Sequence, residues 1–303
     1  MTVTLRLNTF SEPSLLIAAR EGGFLEQEGI TLSLIQAKGS RPQIEGLLAG
    51  DWELAHTNAD NVMKFRGQGR EELFIFMVAD LGISQKLVVH PHIREWQDLR
   101  GRTVGLDAPD SGYAFVVYEL LDRHGLPWDS YQVKSLGATS YRLEGLRSGE
   151  AVAGLLSHHH ETNALDEGFK ILADTREHFP EHAGVTAATT RGWAADHEEL
   201  LQGYTRAVLA AARWAQDPGN TDEVVTLMAR RRGISEPEAR RLLDTERAAR
   251  TGGVPSPEEA ANSLRAIADL RAKVTGAAPA DYFDPRYMRA AMEGEPRPGE
   301  IVG

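Results

Sequence analysis

The feature that most constrains this chain is a unit it repeats: a short apolar run of β character, a turn built on Pro, Asp, Ser or Gly, and an amphipathic helix. Residues 102–112, RTVGLDAPDSG, followed by AFVVYELLDRHG, give the clearest copy. Thr103–Leu106 reads as the strand, Pro109 and Asp110 break it, and Ala114–Arg123 carries apolar residues at helical spacing up to Gly125. Ser111 or Asp110 can cap that helix, and Gly112 lets backbone N–H groups approach a guest. Such a turn suits an anionic or acceptor-rich small molecule, although one copy alone is also an ordinary capped βα turn.

The same rhythm runs through the first two thirds of the chain. Val3, Leu5 and Leu7 alternate as a strand, and a helix carrying Leu15, Leu16, Ala19, Phe24 and Leu25 leads to Gly29. Ile30, Leu32 and Leu34 form a second strand, a helix with Ile44, Leu47 and Leu48 stops at Gly50, and Leu54–Thr57 is a third strand. Leu73–Ala79 and Lys86–Val89 are further strand candidates. These spacings demand a parallel α/β sheet with right-handed crossovers. After residues 90–100 the pattern restarts with Thr103–Leu106, Tyr131–Ser135 and Val152–Leu156, and Phe169–Ala173 and Val185–Thr190 are added strands. Two similar halves joined this way predict two lobes facing a cleft. From Asp196 onward the pattern is helical, with Ser256 and Glu259 spaced as a capping box. Arg230, Arg231 and Arg232 read as a solvated helix face rather than a phosphate site.

Composition excludes more than it assigns. At 303 residues, 42% of them hydrophobic, the chain can bury two real cores. A formal charge of -11 argues against a nucleic-acid backbone or an anionic membrane as the main partner. The absence of cysteine removes disulfides, thiolate metal sites and cysteine nucleophiles together. No window approaches the roughly 20 apolar residues needed to span a membrane. Strand-like alternation begins at Val3 without a leader pattern, so the chain as written reads as cytoplasmic, and as periplasmic or extracellular if a leader was removed.

Several ordered stretches resemble one family. PSLLIAAREGGFLEQEGITLSL, IEGLLAGDWELAHTNADNVMKFRGQG, DLRGRTVGLDAPDSGYAFVVYELLDRHGL, YRLEGLRSGEAVAGLL and DYFDPRYMRAAM are similar to type II periplasmic binding proteins of the nitrate, sulfonate and taurine class, including the thiamine-pyrimidine-synthase-like branch. The resemblance implies a two-lobed α/β fold closing by a hinge. Lobe 1 would be residues 1–90 with 191–303, the helical third packing on it, and lobe 2 residues 91–190. Its function would be that of a solute receptor for a small organic ligand, with an ABC permease as partner if the protein is exported and a dimer open. Carried over by position, the ligand loops hold Asn8, Thr9, Glu12, Ser40, Arg41, Thr57, Asn58, Asp60 and Asp80 in one lobe. In the other they hold Asp107, Ser111, Gly112, Tyr113, Gly137, Ala138, Thr139 and Ser157. Acidic residues are as frequent in this set as Arg, so a cationic or aromatic ligand with donor groups fits as well as an anion.

The alternative is a cytoplasmic enzyme on the same fold, a lyase or decarboxylase acting on a small aromatic or heterocyclic acid. Its catalytic candidates are His56, Asp60, His158, His159, His160 and Glu161. If the preceding strand continues, His158 and His160 share a side. With His56 they could hold zinc or iron, although no cofactor is required; equally, one imidazole could act as an acid or base, or these histidines could only hydrogen-bond a ligand or decorate a surface loop. Desulfinase-like and pyrimidine-synthase-like chemistry both need cysteine, which this chain lacks.

Overall fold

The computed structural model describes residues 2–83, 85–156, 159–249, 254–277 and 279–293. The chain opens with β1 (Val3–Thr9), α1 (Ser14–Glu21), α2 (Phe24–Gln27), β2 (Ile30–Gln36), α3 (Ser40–Ala49), β3 (Leu54–Thr57), α4 (Ala59–Gly67) and β4 (Leu73–Val78). It continues through β5 (Lys86–Val89), β6 (Thr103–Leu106), α5 (Gly112–Arg123), β7 (Gln132–Ser135), α6 (Thr139–Arg147), β8 (Ala153–Leu156), α7 (His159–Asp166), β9 (Lys170–Asp174) and α8 (Thr175–His178). The last stretch is β10 (Thr186–Thr190), α9 (Arg191–Asp196), α10 (Glu198–Gln216), α11 (Thr221–Arg232), α12 (Glu236–Ala249), α13 (Pro257–Thr275) and α14 (Arg286–Met292).

These elements group into two units. The first is Met1–Leu81 with Ala183–Arg265 and Pro279–Gly303; the second is Gly82–His182 with Ala266–Ala278. The exchanges between units therefore fall earlier than positions 90 and 190. The reason is hydrogen bonding: β5 pairs antiparallel with both β8 and β9, while β10 inserts antiparallel between β3 and β4. The later half of α13 also belongs to the second unit rather than the first.

In the first unit the sheet order is β2-β1-β3-β10-β4. β1 pairs in parallel with β2 and β3, as right-handed βαβ crossovers require. Leu5 and Leu7 point into the core, whereas Val3, in the same alternation, is exposed at the strand's start. All six residues of β4 are buried although it is an edge strand. Its edge is capped by residues 282–284: the Ile75 N–H donates to Tyr282 O at 2.7 Å and Asp284 N–H donates to Ile75 O at 3.0 Å. Covering an edge in this way prevents further strand addition. The 19-residue α10 packs on α1, α2 and α14, burying Leu201, Tyr204, Val208 and Ala212 along one face.

The second unit repeats the plan as β7-β6-β8-β5-β9, with β6 parallel to β7 and β8. Its core forms around Phe115, Val117, Leu120 and Leu121 of α5, together with Leu87, Val104 and Leu155 from the strands. Among the described residues no helix is long and apolar enough to cross a membrane. At α13 the capping box forms, Ser256 N–H donating to the Glu259 carboxylate at 2.8 Å and Glu259 N–H to Ser256 Oγ at 3.2 Å.

Candidate functional site

In open α/β sheets the carboxyl ends of the parallel strands carry the ligand-contacting loops. Each unit has one such edge. In the first, Asn8 and Thr9 end β1, Thr57 ends β3, and Asp80 follows β4; all four are buried. Asn58 caps α4, its Oδ1 accepting the Asp60 N–H at 2.9 Å, which tucks Asp60 into the interior at 1% exposure. The Asp80 carboxylate accepts the Val185 N–H, fixing the loop that leads into β10. Phe10, immediately after β1, is the exposed apolar residue of this edge.

One residue outside the sequence-based set organises this edge. Gln43 on α3 is buried, and its Nε2 donates to Asn8 O, Asn8 Oδ1 and His56 O, each at 3.1 Å. It thereby ties the ends of β1 and β3 together. Its own Oε1 has no partner.

The second edge is built from β6, β7 and β8. Ser111 caps α5, accepting the Ala114 N–H at 3.0 Å and donating to Asp107 Oδ1 at 2.6 Å. This leaves Gly112 and Tyr113 in the first turn, where N–H groups lack intrahelical acceptors. Gly137 sits at φ 79°, a left-handed conformation suited to glycine, and turns the chain from β7 into α6. Ala138 and Thr139 open that helix.

Arg142, the fourth residue of α6, is also buried and also absent from the sequence-based set. Its Nε donates to Leu155 O and its Nη1 to Gly137 O, both at 2.7 Å, and its Nη2 to Thr139 Oγ1 at 3.0 Å. Burial lowers its pKa, an effect opposed by Asp107 and Tyr113; a guanidinium nonetheless stays charged. Among the described residues Arg142 makes no ion pair, so a buried cation sits at this edge satisfied by neutral oxygens.

Gln43 and Arg142 occupy equivalent places. QIEGLLAGD and RLEGLRSGE share their spacing, and each side chain reaches the strand thirteen residues onward, at His56 O and Leu155 O. The internal repeat is the sequence signal that finds both residues.

Other candidates are placed differently from expectation. His56 is buried within β3, and its Nε2 makes a 2.8 Å hydrogen bond with the Tyr204 hydroxyl of α10. Its Nδ1 has no partner, and burial pushes its pKa down to about 4, so it is neutral near pH 7. That position is core, which removes His56 from a strand-end catalytic or metal group. β8 ends at Leu156 and His160 lies in α7, while His158, expected to share a strand face with it, lies outside the described residues. Glu161 stands in the first helical turn, favourable for an anion, and pairs with Lys86 at 3.5 Å. Lys86 also meets Asp174 at 3.2 Å; burial would raise the Asp174 pKa, but hydrogen bonds from Arg176 and Lys86 outweigh it and hold it at about 2. Ser157, His158 and the side chain of His159 lie outside the described residues. Among the described residues no three His, Asp or Glu side chains converge on one metal position.

Glu12 is committed elsewhere. It pairs with Arg20 and, at 2.9 Å, with Arg231. Arg230 and Arg232 reach Glu21 and Glu246, so the arginine run of α11 is a set of ion pairs to α1, its approach and α12 rather than a bare solvated face. Ser40 and Arg41 are exposed at the start of α3, Arg41 beside Glu45 at 3.4 Å.

The sequence model of the NMT1-like family matches residues 3–229. The chain belongs to the NMT1-like family. No curated protein matches it. Among solved structures, it is similar to the alkanesulfonate-binding protein SsuA from Xanthomonas axonopodis pv. citri, bound to MOPS, at 17% identity and TM-score 0.71, over 95% of this chain and 97% of that one. It is similar to the periplasmic nitrate-binding protein NrtA from Synechocystis PCC 6803 at 12% identity and TM-score 0.74, over 98% and 90%. It is also similar to the desulfurization enzyme DszB, at 15% identity and TM-score 0.65, over 96% and 99%. This NMT1-like chain thus shares the α/β fold of these solute-binding proteins.

Proposed function

We propose that this NMT1-like protein is a solute receptor of the ABC-importer type that binds a small polar organic molecule at its strand ends. The observation that carries the reading is the polarity of those strand ends. The second unit offers donors: the buried Arg142 guanidinium and the first-turn N–H groups at Gly112 and Tyr113. The edge of the first unit is acidic, with Asp60 in the first turn of α4 and Asp80 after β4. A ligand carrying both an acceptor-rich group and a donor group fits this set of residues. MOPS, seen with the SsuA relative, has that character.

The neighbours named as periplasmic favour a periplasmic or extracellular site of action, and those named as ligand-binding parts of ABC importers favour an ABC permease as partner; the cytoplasmic reading has no such support. The test is a thermal-shift screen of the full chain against aliphatic sulfonates including MOPS, nitrate, small carboxylates and aminopyrimidines, followed by calorimetry. A 1:1 ligand whose affinity falls at least about tenfold in Arg142→Gln supports the proposal. Binding indifferent to Arg142→Gln, or turnover of the bound compound, would overturn it.

A further inference from the structure

The strand-end edge of the second unit carries an aromatic side chain that the fold itself does not use. Tyr141, in the first turn of α6, is 67% exposed, more than any other large hydrophobic side chain among the described residues. It makes no hydrogen bond and no ring contact among them. Trp128 is exposed too, but its ring packs edge-on against Tyr118 at 4.3 Å. A lone exposed apolar residue is ordinary on a protein surface. What singles out Tyr141 is where its ring lies.

Side chains on a helix lean toward its N-terminus, so one in the first turn of α6 leans over the strand-end turn before it. Tyr141 does so: a Cβ placed on Gly137 would stand 3.8 Å from Tyr141 Cδ2. The ring therefore borders the glycine that carries the chain from β7 into α6. The carbonyl oxygen of that glycine accepts from Arg142 Nη1 at 2.7 Å. Ring and guanidinium, borne by consecutive residues, thus meet at one turn, the ring exposed and the guanidinium buried.

Arg142 supplies the second observation. It is 4% exposed, and its Nη1 and Nη2 each make one hydrogen bond, to Gly137 O and Thr139 Oγ1. Each of these nitrogens carries a second N–H, and among the described residues that donor has no acceptor. Buried donors in native proteins find acceptors, and those of a cation are met best by anionic oxygens. The Asp107 carboxylate helps to hold the Arg142 charge, but it makes no ion pair with it among the described residues; its Oδ1 accepts the Ser111 hydroxyl at 2.6 Å.

We propose that Tyr141 is a specificity-determining residue for an aryl anion, a sulfonate or carboxylate carried directly on a flat ring. The anionic oxygens take the free Arg142 donors, and the face of the ring stacks on Tyr141. The proposal rests on the receptor reading above and adds the class of ligand to it. A group attached directly to an anion held at Arg142 lies at the Gly137 turn, where the Tyr141 ring is. A saturated group there gains contact but no ring-on-ring attraction.

The experiment is calorimetry on the full chain with benzenesulfonate and cyclohexanesulfonate, which share the anionic head and the ring size and differ in flatness. It is repeated on Tyr141→Phe, Tyr141→Ala and Arg142→Gln. The expected result is about fivefold tighter binding of benzenesulfonate, kept in Tyr141→Phe and erased in Tyr141→Ala. The melting temperature stays unchanged in Tyr141→Ala because the side chain is exposed. By NMR the ring protons of bound benzenesulfonate shift upfield with the native protein and not with Tyr141→Ala. Arg142→Gln weakens both compounds alike. Equal affinity for the two sulfonates, a preference that persists in Tyr141→Ala, or binding of neither would overturn the proposal. Equal affinity with both compounds weakened in Arg142→Gln would leave the receptor reading standing, whereas binding of both indifferent to Arg142→Gln would overturn that reading as well.

Discussion

Gln43 in the first unit and Arg142 in the second do the same structural work with different charge. Each is the fourth residue of the helix after the second parallel strand, each is buried, and each donates three hydrogen bonds around the strand ends. The neutral amide stands in the unit whose edge holds Asp60 and Asp80. The guanidinium stands in the unit whose edge also holds Ser111, Gly112, Thr139 and the Asp107 carboxylate, which helps to hold the Arg142 charge. Duplication of one architectural position therefore permits a neutral amide at one edge and a buried cation at the other.

The largest expected effect comes from Arg142→Leu. It leaves Leu155 O, Gly137 O and Thr139 Oγ1 without their donor and should cost the second unit about 4 kcal/mol in chemical denaturation. Gln43→Leu, which removes three neutral hydrogen bonds, should cost the first unit about 2 kcal/mol. Equal costs would break the comparison. Between them in size lies an acid effect in each unit. His56 and His182 have folded pKa values near 4 against 6.5 when unfolded, so between those pH values the unfolded chain binds more protons. Stability is then complete above about pH 6.5 and lost as pH falls toward 4, by about 3 kcal/mol for each histidine. Denaturation midpoints measured from pH 7.5 to 4.5 check this, and a flat profile would contradict the burial of both rings.

Smaller effects sharpen the contrast between framework and periphery. Ser111→Ala removes the α5 cap and the bond to Asp107, at about 1 kcal/mol. Arg41→Ala should change stability by less than about 0.5 kcal/mol, because its ion pair with Glu45 is exposed on both sides. A large loss of stability in Arg41→Ala would mean that the start of α3 is more tightly built than its exposure indicates.

Much of this architecture is legible in the sequence because alternation and helical spacing directly encode which face is buried. Val3 to Leu7, the α5 repeat and the Ser256 to Glu259 box all appear where those periods put them. Strand order is less legible. β5 and β10 join their sheets antiparallel through hydrogen bonds to distant strands, which no local pattern records. At the site, loop positions follow from strand ends, but side-chain commitments do not. Glu12 is drawn off by Arg20 and Arg231, and His56 by Tyr204, a partner 148 residues away. Gln43 and Arg142 escaped because a polar residue in a helix reads as solvent-facing until the repeat QIEGLLAGD and RLEGLRSGE is set side by side.

The account is tested most directly by a crystal structure of the protein with the tightest compound from the receptor screen. It predicts the molecule at the strand ends, with its acceptor-rich group against Arg142 and the start of α5. A molecule bound away from the strand-end edges would contradict it.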